Sequence, residues 1–355
     1  MFSLSSLPHD VIRHIVSFIH LQSMRWSRAL TLQSIKDNGG LETVIFDYSY
    51  PFKNLPFDVL NALVGERTKN LSICITDKHI FQNLRLLNMP QLQTLKLFDY
   101  TQRIESLDPL RELCPSRKIH LKSLTLWDFP KVLSLEPLRD MRPEILDIFD
   151  FPKVKSLEPL RKMRPKILDI HSLPKVKSLD PLREMQPENL SLKDFKHVSS
   201  LKPLREMRPK KCFLSWFTQV KSLEPLREMC PESLTLGGFP LIESLEPLRE
   251  MRPESLRFFN LSNISSLEPL REMRPQQLSF HYLPKVSSLE PLRKIYPESL
   301  ELIDFPLVRS LEPLQEMLPI KYIIKFFPLM NIQTLPHFIE FSPLMNAESD
   351  IFYEN

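Results

Sequence analysis

One pattern governs this chain: the segment Ser-Leu-x-Pro-Leu, or a close variant, places proline at 137, 159, 181, 203, 225, 247, 269, 291 and 313, nine copies at an unbroken spacing of 22. A tenth proline of the same kind, Pro109, stands 28 residues before Pro137. One unit reads, from Ser244, SLEPLREMRPESLRFFNLSNIS, and its apolar frame of Leu245, Leu248, Met251, Leu256, Phe258, Leu261 and Ile264 recurs along the array. A unit this short cannot pay for its own ordering with what it buries alone, so stacked neighbours must complete each core and the array needs a cap at each end.

The prolines mark the corners of each coil. Pro137 suits the first position of a helix, where its missing N–H would have no partner and its φ is already set. Pro143 drives Arg142 out of the helical region, which predicts a short, 3₁₀-like turn with Leu138 and Met141 inward. A third column, at 130, 152, 174, 240, 284, 306 and 328, follows the expected strands and ends their pairing. The chain has 33 prolines against only 5 glycines, and with glycine only at 39, 40, 65, 237 and 238 neither a G-x-G-x-x-G fingerprint nor a G-x-x-x-x-G-K-[ST] phosphate loop can be written.

A period of 20 to 29 residues with an L-x-L core indicates leucine-rich repeats, one short parallel strand per unit and a return segment on the outer side. Val154-Lys155-Ser156-Leu157-Glu158-Pro159-Leu160 resembles the 22-residue repeats of the internalins and of the phosphatase-regulator type. The resemblance implies an α/β solenoid, a curved parallel β-sheet with short 3₁₀ or helical convex turns. Where those repeats carry asparagine after the strand, this chain has Phe151, Leu173, Phe195, Phe217, Phe239, Leu261, Leu283 and Phe305, an apolar spine.

Residues 1–40 do not carry the repeat. Ser6-Leu7-Pro8-His9-Asp10 is a helix-start signal, and Val11, Ile12, Ile15, Val16 and Ile19 form one apolar helix face. This Leu-Pro start and amphipathic helix ahead of leucine-rich repeats resemble an F-box. The resemblance implies that Leu7, Pro8, Ile12, Ile15 and Ile19 contact a Skp-type adaptor of a cullin ubiquitin ligase while the repeats hold an unknown target protein. Many F-boxes close on a basic-Trp element; Ser34-Ile35-Lys36 stands there and Trp26 lies earlier. The other reading of this segment is a helical cap on the solenoid, which would make the chain a stand-alone scaffold or regulatory subunit. The expected organisation continues with irregular repeats over 41–123, regular repeats over 124–325, a C-terminal cap over 326–345 and an acidic tail over 346–355. Strands of the irregular part are expected at 41–46, 71–75 and 92–97, and a last strand at 322–325.

Within a strand such as 144–149, Leu146 and Ile148 point inward and alternate residues face the concave surface. The convex block SLEPLREMRP barely changes between units, whereas two concave columns vary. One includes Asp147, Asp169, Phe213, Arg257 and Glu301; the next includes Trp127, Phe149, His171, Lys193, Phe259 and His281. Aromatic and charged members of this kind suit a protein-binding surface. Asp147 and Asp169 are expected about 4.8 Å apart on adjacent strands, but nothing in the sequence supplies a pocket for catalysis. His171 and His281, five units and about 24 Å apart, cannot share a metal. No H-E-x-x-H, zinc-type Cys/His spacing or G-x-S-x-G turn occurs, so the expectation is a non-enzyme without metal or cofactor.

The convex arginines from Arg139 to Arg293 are flanked by Asp140 and a run of glutamates from 184 onward, and with these acidic neighbours they are expected to form an exposed ion-pair lattice. Lys131, Lys153, Lys155, Lys175 and Lys177 read as a solvated basic edge. With 47 basic and 43 acidic side chains, the net charge of +4 does not point to nucleic acid. The four cysteines show no C-x-x-C and no compact disulfide framework, which fits a reducing compartment, cytoplasm or nucleus. The longest apolar candidate for a membrane span, residues 326–339, has 14 residues and two prolines, short of the ~18 a span requires.

Overall fold

The computed structural model describes residues 32–46, 57–113, 121–315, 317 and 321–325. The chain divides into two compact units, Met1–Lys175 and Val176–Asn355. In the first, six parallel strands follow in chain order: β1 (Thr43–Phe46), β2 (Asn70–Ile75), β3 (Thr94–Asp99), β4 (Ser123–Trp127), β5 (Ile145–Phe149) and β6 (Ile167–His171). The second holds β7 (Asn189–Lys193), β8 (Lys211–Ser215), β9 (Ser233–Gly237), β10 (Ser255–Phe259), β11 (Gln277–His281), β12 (Ser299–Ile303) and β13 (Lys321–Lys325), also parallel in chain order.

The register advances by one repeat per strand: Leu256 on β10 pairs with Leu234 on β9 and Leu278 on β11. Identical faces therefore superimpose, and each apolar position becomes a buried row. The seven frame residues of the unit beginning at Ser244 are all at most 1% exposed. The expected apolar spine is stacked aromatic rings where phenylalanine repeats, with Phe217 lying 5.6 Å from Phe195 and 5.5 Å from Phe239 between ring centroids.

In the regular repeats the return segment is a three-residue 3₁₀ turn such as Glu246–Leu248. Its serine supplies the start: Ser244 Oγ accepts the N–H of Glu246 at 3.1 Å, a local bond that the S-x-E spacing permits. The proline is the second residue of the turn rather than the first, because the glutamate occupies the opening position. The proline spacing does not limit the helix either. Pro109 and Pro115 stand six apart, as in the regular units, yet α4 (Asp108–Leu113) is a true helix, since that unit has more residues in which to return. The longer first units accommodate α1 (Leu32–Asp37), α2 (Phe57–Leu63) and α3 (Lys78–Gln82) in the same way.

Burial explains why proline repeats so often. Pro247 and Pro253, with most of their counterparts in both columns, are buried where the backbone makes no regular ladder. A buried N–H without a partner is costly, and proline has none to leave unpaired.

The strand end carries a second device. The residue just past each strand lies in the left-handed region: Asp128, Asp150, Ser172, Asp194, Trp216, Gly238, Asn260, Tyr282 and Asp304 have φ between 51° and 62°. This turns the chain inward while its N–H still bonds to the next coil, as Asp150 N–H does to the carbonyl of His171 at 3.2 Å.

The convex arginines and acids form exposed ion pairs with one recurring geometry. Arg249 bonds through Nε and Nη2 to Glu246, three residues earlier in its own turn, not to the acid that follows it. The i,i+3 spacing on the turn brings these two side chains together, and five further units repeat the Arg–Glu pair. Such pairs are exposed and weak, so Arg249→Ala is expected to leave the thermal midpoint unchanged within error. A marked fall in that midpoint would show that the lattice holds the coils together.

Candidate functional site

The outward positions of the strands carry the varied side chains, as the alternation of Leu146 and Ile148 inward implies. In the first unit Phe98, Trp127, Phe149 and His171 form an aromatic row, with successive centroid distances of 5.5, 5.5 and 4.4 Å. Beside it Asp147 and Asp169 are registered partners on β5 and β6. Asp147 accepts the hydroxyl of Thr125 at 3.0 Å, and Asp169 Oδ1 lies against His171 Nε2. Burial pushes the Asp147 carboxyl above its ordinary range, the Thr125 bond opposes this, and the Asp169 charge adds to the rise.

In the second unit Lys193 Nζ lies 4.3 Å from the ring centroid of Phe213, a cation–π contact. Phe213 and Phe259 stand 6.1 Å apart and Trp216 and Phe259 6.4 Å. Arg257 is exposed at the middle of β10. Farther along, Ser279, His281 and Glu301 close a hydrogen-bonded triangle: Ser279 Oγ lies 2.7 Å from Glu301 Oε2 and 3.1 Å from His281 Nε2, which is 3.0 Å from the same Oε2. The bond to His281, then that to Ser279, with the charges of His281 and Arg257, holds the Glu301 carboxyl down to about 2 despite partial burial. Ser279 donates to the carboxylate, so this triangle lacks the arrangement in which an acid and a serine hydroxyl bond opposite nitrogens of one histidine.

Two opposite pH responses follow. Asp147 disfavours its own ionisation, so Asp147→Asn is expected to raise stability at pH 7. That gain fades as the pH falls through the folded-state pKa of Asp147 and below its ordinary value of 3.8. Glu301 is stabilised as a carboxylate, so Glu301→Gln is expected to lower stability at pH 7, a loss that disappears between pH 4.5 and about 2. Urea unfolding of both variants at pH 7 and pH 3 checks the signs; the same sign for both at pH 7 would refute the assignment.

The structure thus gathers the sequence candidates into two patches, one per unit, and leaves the lysines at 131, 153, 155, 175 and 177 exposed. Two rim aromatics escaped the strand columns: Trp216 and Tyr282, 43% and 46% exposed, sit one position past β8 and β11. Their column is otherwise Asp, Ser, Asn and Gly, the composition of a left-handed turn, and that signal was available. The adaptor-contact candidates Leu7, Pro8, Ile12, Ile15 and Ile19, the 326–345 cap and the acidic tail lie outside the described residues. Among the described residues no group of three or more His, Cys, Asp and Glu is placed to hold a metal ion, and no helix is long and apolar enough to cross a membrane.

Comparison with solved structures places an internalin of Listeria monocytogenes, InlF, on this chain with a TM-score of 0.55 and 14% identity, over 92% of this chain and 93% of the internalin. The fold is a leucine-rich repeat solenoid. A second internalin of that organism, InlC2, aligns at a TM-score of 0.33 and 14% identity, over 71% of this chain and 84% of its own. No protein-family model matches the sequence, and no curated protein sequence matches it.

Proposed function

We propose that this chain is a non-enzymatic, protein-binding repeat protein whose outward strand faces hold a partner. One observation carries the reading. At geometrically equivalent positions the buried frame stays constant while the outward column changes from Thr to Asp, Phe, Arg and Glu, with aromatic clusters left partly exposed on the same face. Aromatic and arginine side chains set in a varied polar surround are the usual energetic centres of protein interfaces.

The finer reading is that residues 4–37 act as an F-box-type segment and that the repeats select a target for a Skp/cullin ubiquitin ligase, any catalysis belonging to partner subunits. It is supported by the Leu7-Pro8 start and the apolar face from Val11 to Ile19. Work in the cytoplasm or nucleus accords with the free thiols of Cys74, Cys212 and Cys230. A specific feature favours the second reading, a stand-alone scaffold with a capped first coil. The turn after α1 is tied into the repeats by backbone bonds from Leu41 N–H to Leu63 O, 2.7 Å, and from Arg67 N–H to Gly39 O, 2.9 Å.

Co-purification with a Skp adaptor separates the two. Under the F-box reading the full chain retains the adaptor, and the double variant Leu7→Ala, Ile15→Asp releases it. No retention, or retention unchanged in the variant, leaves the scaffold.

A further inference from the structure

Electrostatically the two strand faces differ. On β5 and β6 the outward positions carry Asp147 and Asp169 and no lysine or arginine. On β8, β9 and β10 the outward positions carry Lys211 and Arg257 and no carboxylate. We propose that the face of β8–β10 is a docking site for an acidic peptide segment bearing an aromatic or large apolar side chain. The proposal rests on the reading of the strand faces as protein-binding and names the chemistry of the partner at one of them.

The apolar half of the site is built around the two glycines of the regular array. A Cβ at Gly237 would overlap the ring of Phe259, and one at Gly238 would come within 2.5 Å of Trp216 Cε3. Rings from β8's end and from β10 therefore lie low across the backbone of β9, which offers no side chain of its own there. Phe213 completes the platform from β8, under the ammonium of Lys193.

Two further observations mark this platform as more than packing. Trp216 occupies the left-handed position that ends every strand of the array, and there, where most coils carry a small polar residue, it presents a ring that is 43% exposed. Ser215, the outward residue beside it, is 1% exposed, and its hydroxyl has no hydrogen-bond partner among the described residues. A buried hydroxyl without a partner, beside a ring left open to solvent, is an unmet bond that an incoming ligand atom would complete.

The charges choose the partner class. Arg257 is exposed at the centre of the face, and the carboxylate that feels its charge, Glu301, lies two strands away. A carboxylate set beside the rings would meet Arg257 in a charge-assisted bond. A nucleic acid strand would find the same rings. Its regular phosphates, however, would call for a continuous track of cations, and the outward positions of β8–β10 supply only Lys211 and Arg257. A local acidic-aromatic segment fits this field better.

The test uses the full chain and a panel of fluorescein-labelled dodecapeptides, each with one Phe, Tyr, Trp or Leu flanked by three Asp or Glu, against the same peptides with Lys for every acid, and against a twelve-residue oligo-thymidine. The acidic peptides are expected to bind, with affinity falling as salt rises. Arg257→Glu and Phe259→Ala should each cost at least tenfold, while Arg249→Ala in the convex turn changes nothing. Phe259→Leu serves beside Phe259→Ala, and circular dichroism shows that each variant remains folded. Equal binding of acidic and lysine peptides, binding of neither, or unchanged affinity in Arg257→Glu overturns the proposal, and tighter binding of the oligo-thymidine assigns the face to nucleic acid instead. If a protein partner is captured and Phe149→Ala releases it but Arg257→Glu does not, this site is wrong and the protein-binding reading stands. If no strand-face variant affects any protein captured by the full chain, the broader reading falls.

Discussion

Phe217→Ala is expected to destabilise the chain by about 3–5 kcal/mol, the usual cost of removing a large ring from a close-packed core. The side chain is fully buried, and the rings of Phe195 and Phe239 stack on its two faces. Truncation therefore opens a gap facing both neighbouring coils at once. In a linear array stability is a sum of unit and nearest-neighbour terms, so the damage falls on the three coils that share the spine. Phe217→Leu is the informative control. Leucine already occupies the same position at 173, 261 and 283, each at most 1% exposed, so the coil geometry accepts it, and the loss should stay below about 1.5 kcal/mol. Urea unfolding of both variants checks the contrast, and hydrogen exchange shows whether the lost protection clusters at β7 to β9. Equal, large effects of Ala and Leu would mean that the stacked ring itself, and not the volume it fills, joins these coils.

How much of this was legible in the sequence differs between the frame and the site. The frame is repetitive, and repetition turns one ambiguous apolar pattern into nine superimposed measurements: Leu146 and Ile148 are read as inward because Leu168 and Ile170 say the same. The strands accordingly fall close to where the spacing puts them. The pairing of Arg249 with Glu246 was not legible, because it depends on the direction in which a 3₁₀ turn aims its side chains, and Glu250 stands beside the same arginine in sequence. At the site, single strand columns identified Phe213, Arg257 and Phe259. They could not show that Trp216 joins them, since its position belongs to no strand and its ring reaches Phe259 only because Gly237 and Gly238 leave room. Contacts that cross coils diagonally depend on what the intervening strand lacks, and a column read one residue type at a time does not show this.

The left-handed column yields the other large effect, and Asp150 isolates it. This side chain is exposed, and its φ is 57°, so a substitution there acts mainly through the backbone. Valine, branched at Cβ, fits that region poorly, and Asp150→Val is expected to cost about 1–3 kcal/mol. Glycine adopts it freely, so Asp150→Gly should match or exceed the parent in stability, the relief of strain offsetting the added freedom of the unfolded chain. The mechanism makes a local claim as well. The N–H groups of Asp150 and Phe151 bond to the carbonyls of His171 and Ser172, each at 3.2 Å, so forcing φ negative would break both and unzip the end of β5 from β6. Hydrogen exchange at the amide of Phe151 should then quicken in Asp150→Val before that of Leu146 does. If Asp150→Val unfolds at the same urea concentration as the parent, the strand-end turn is not left-handed. If instead both variants lose stability, the aspartate side chain has a role in the turn that its exposure does not reveal.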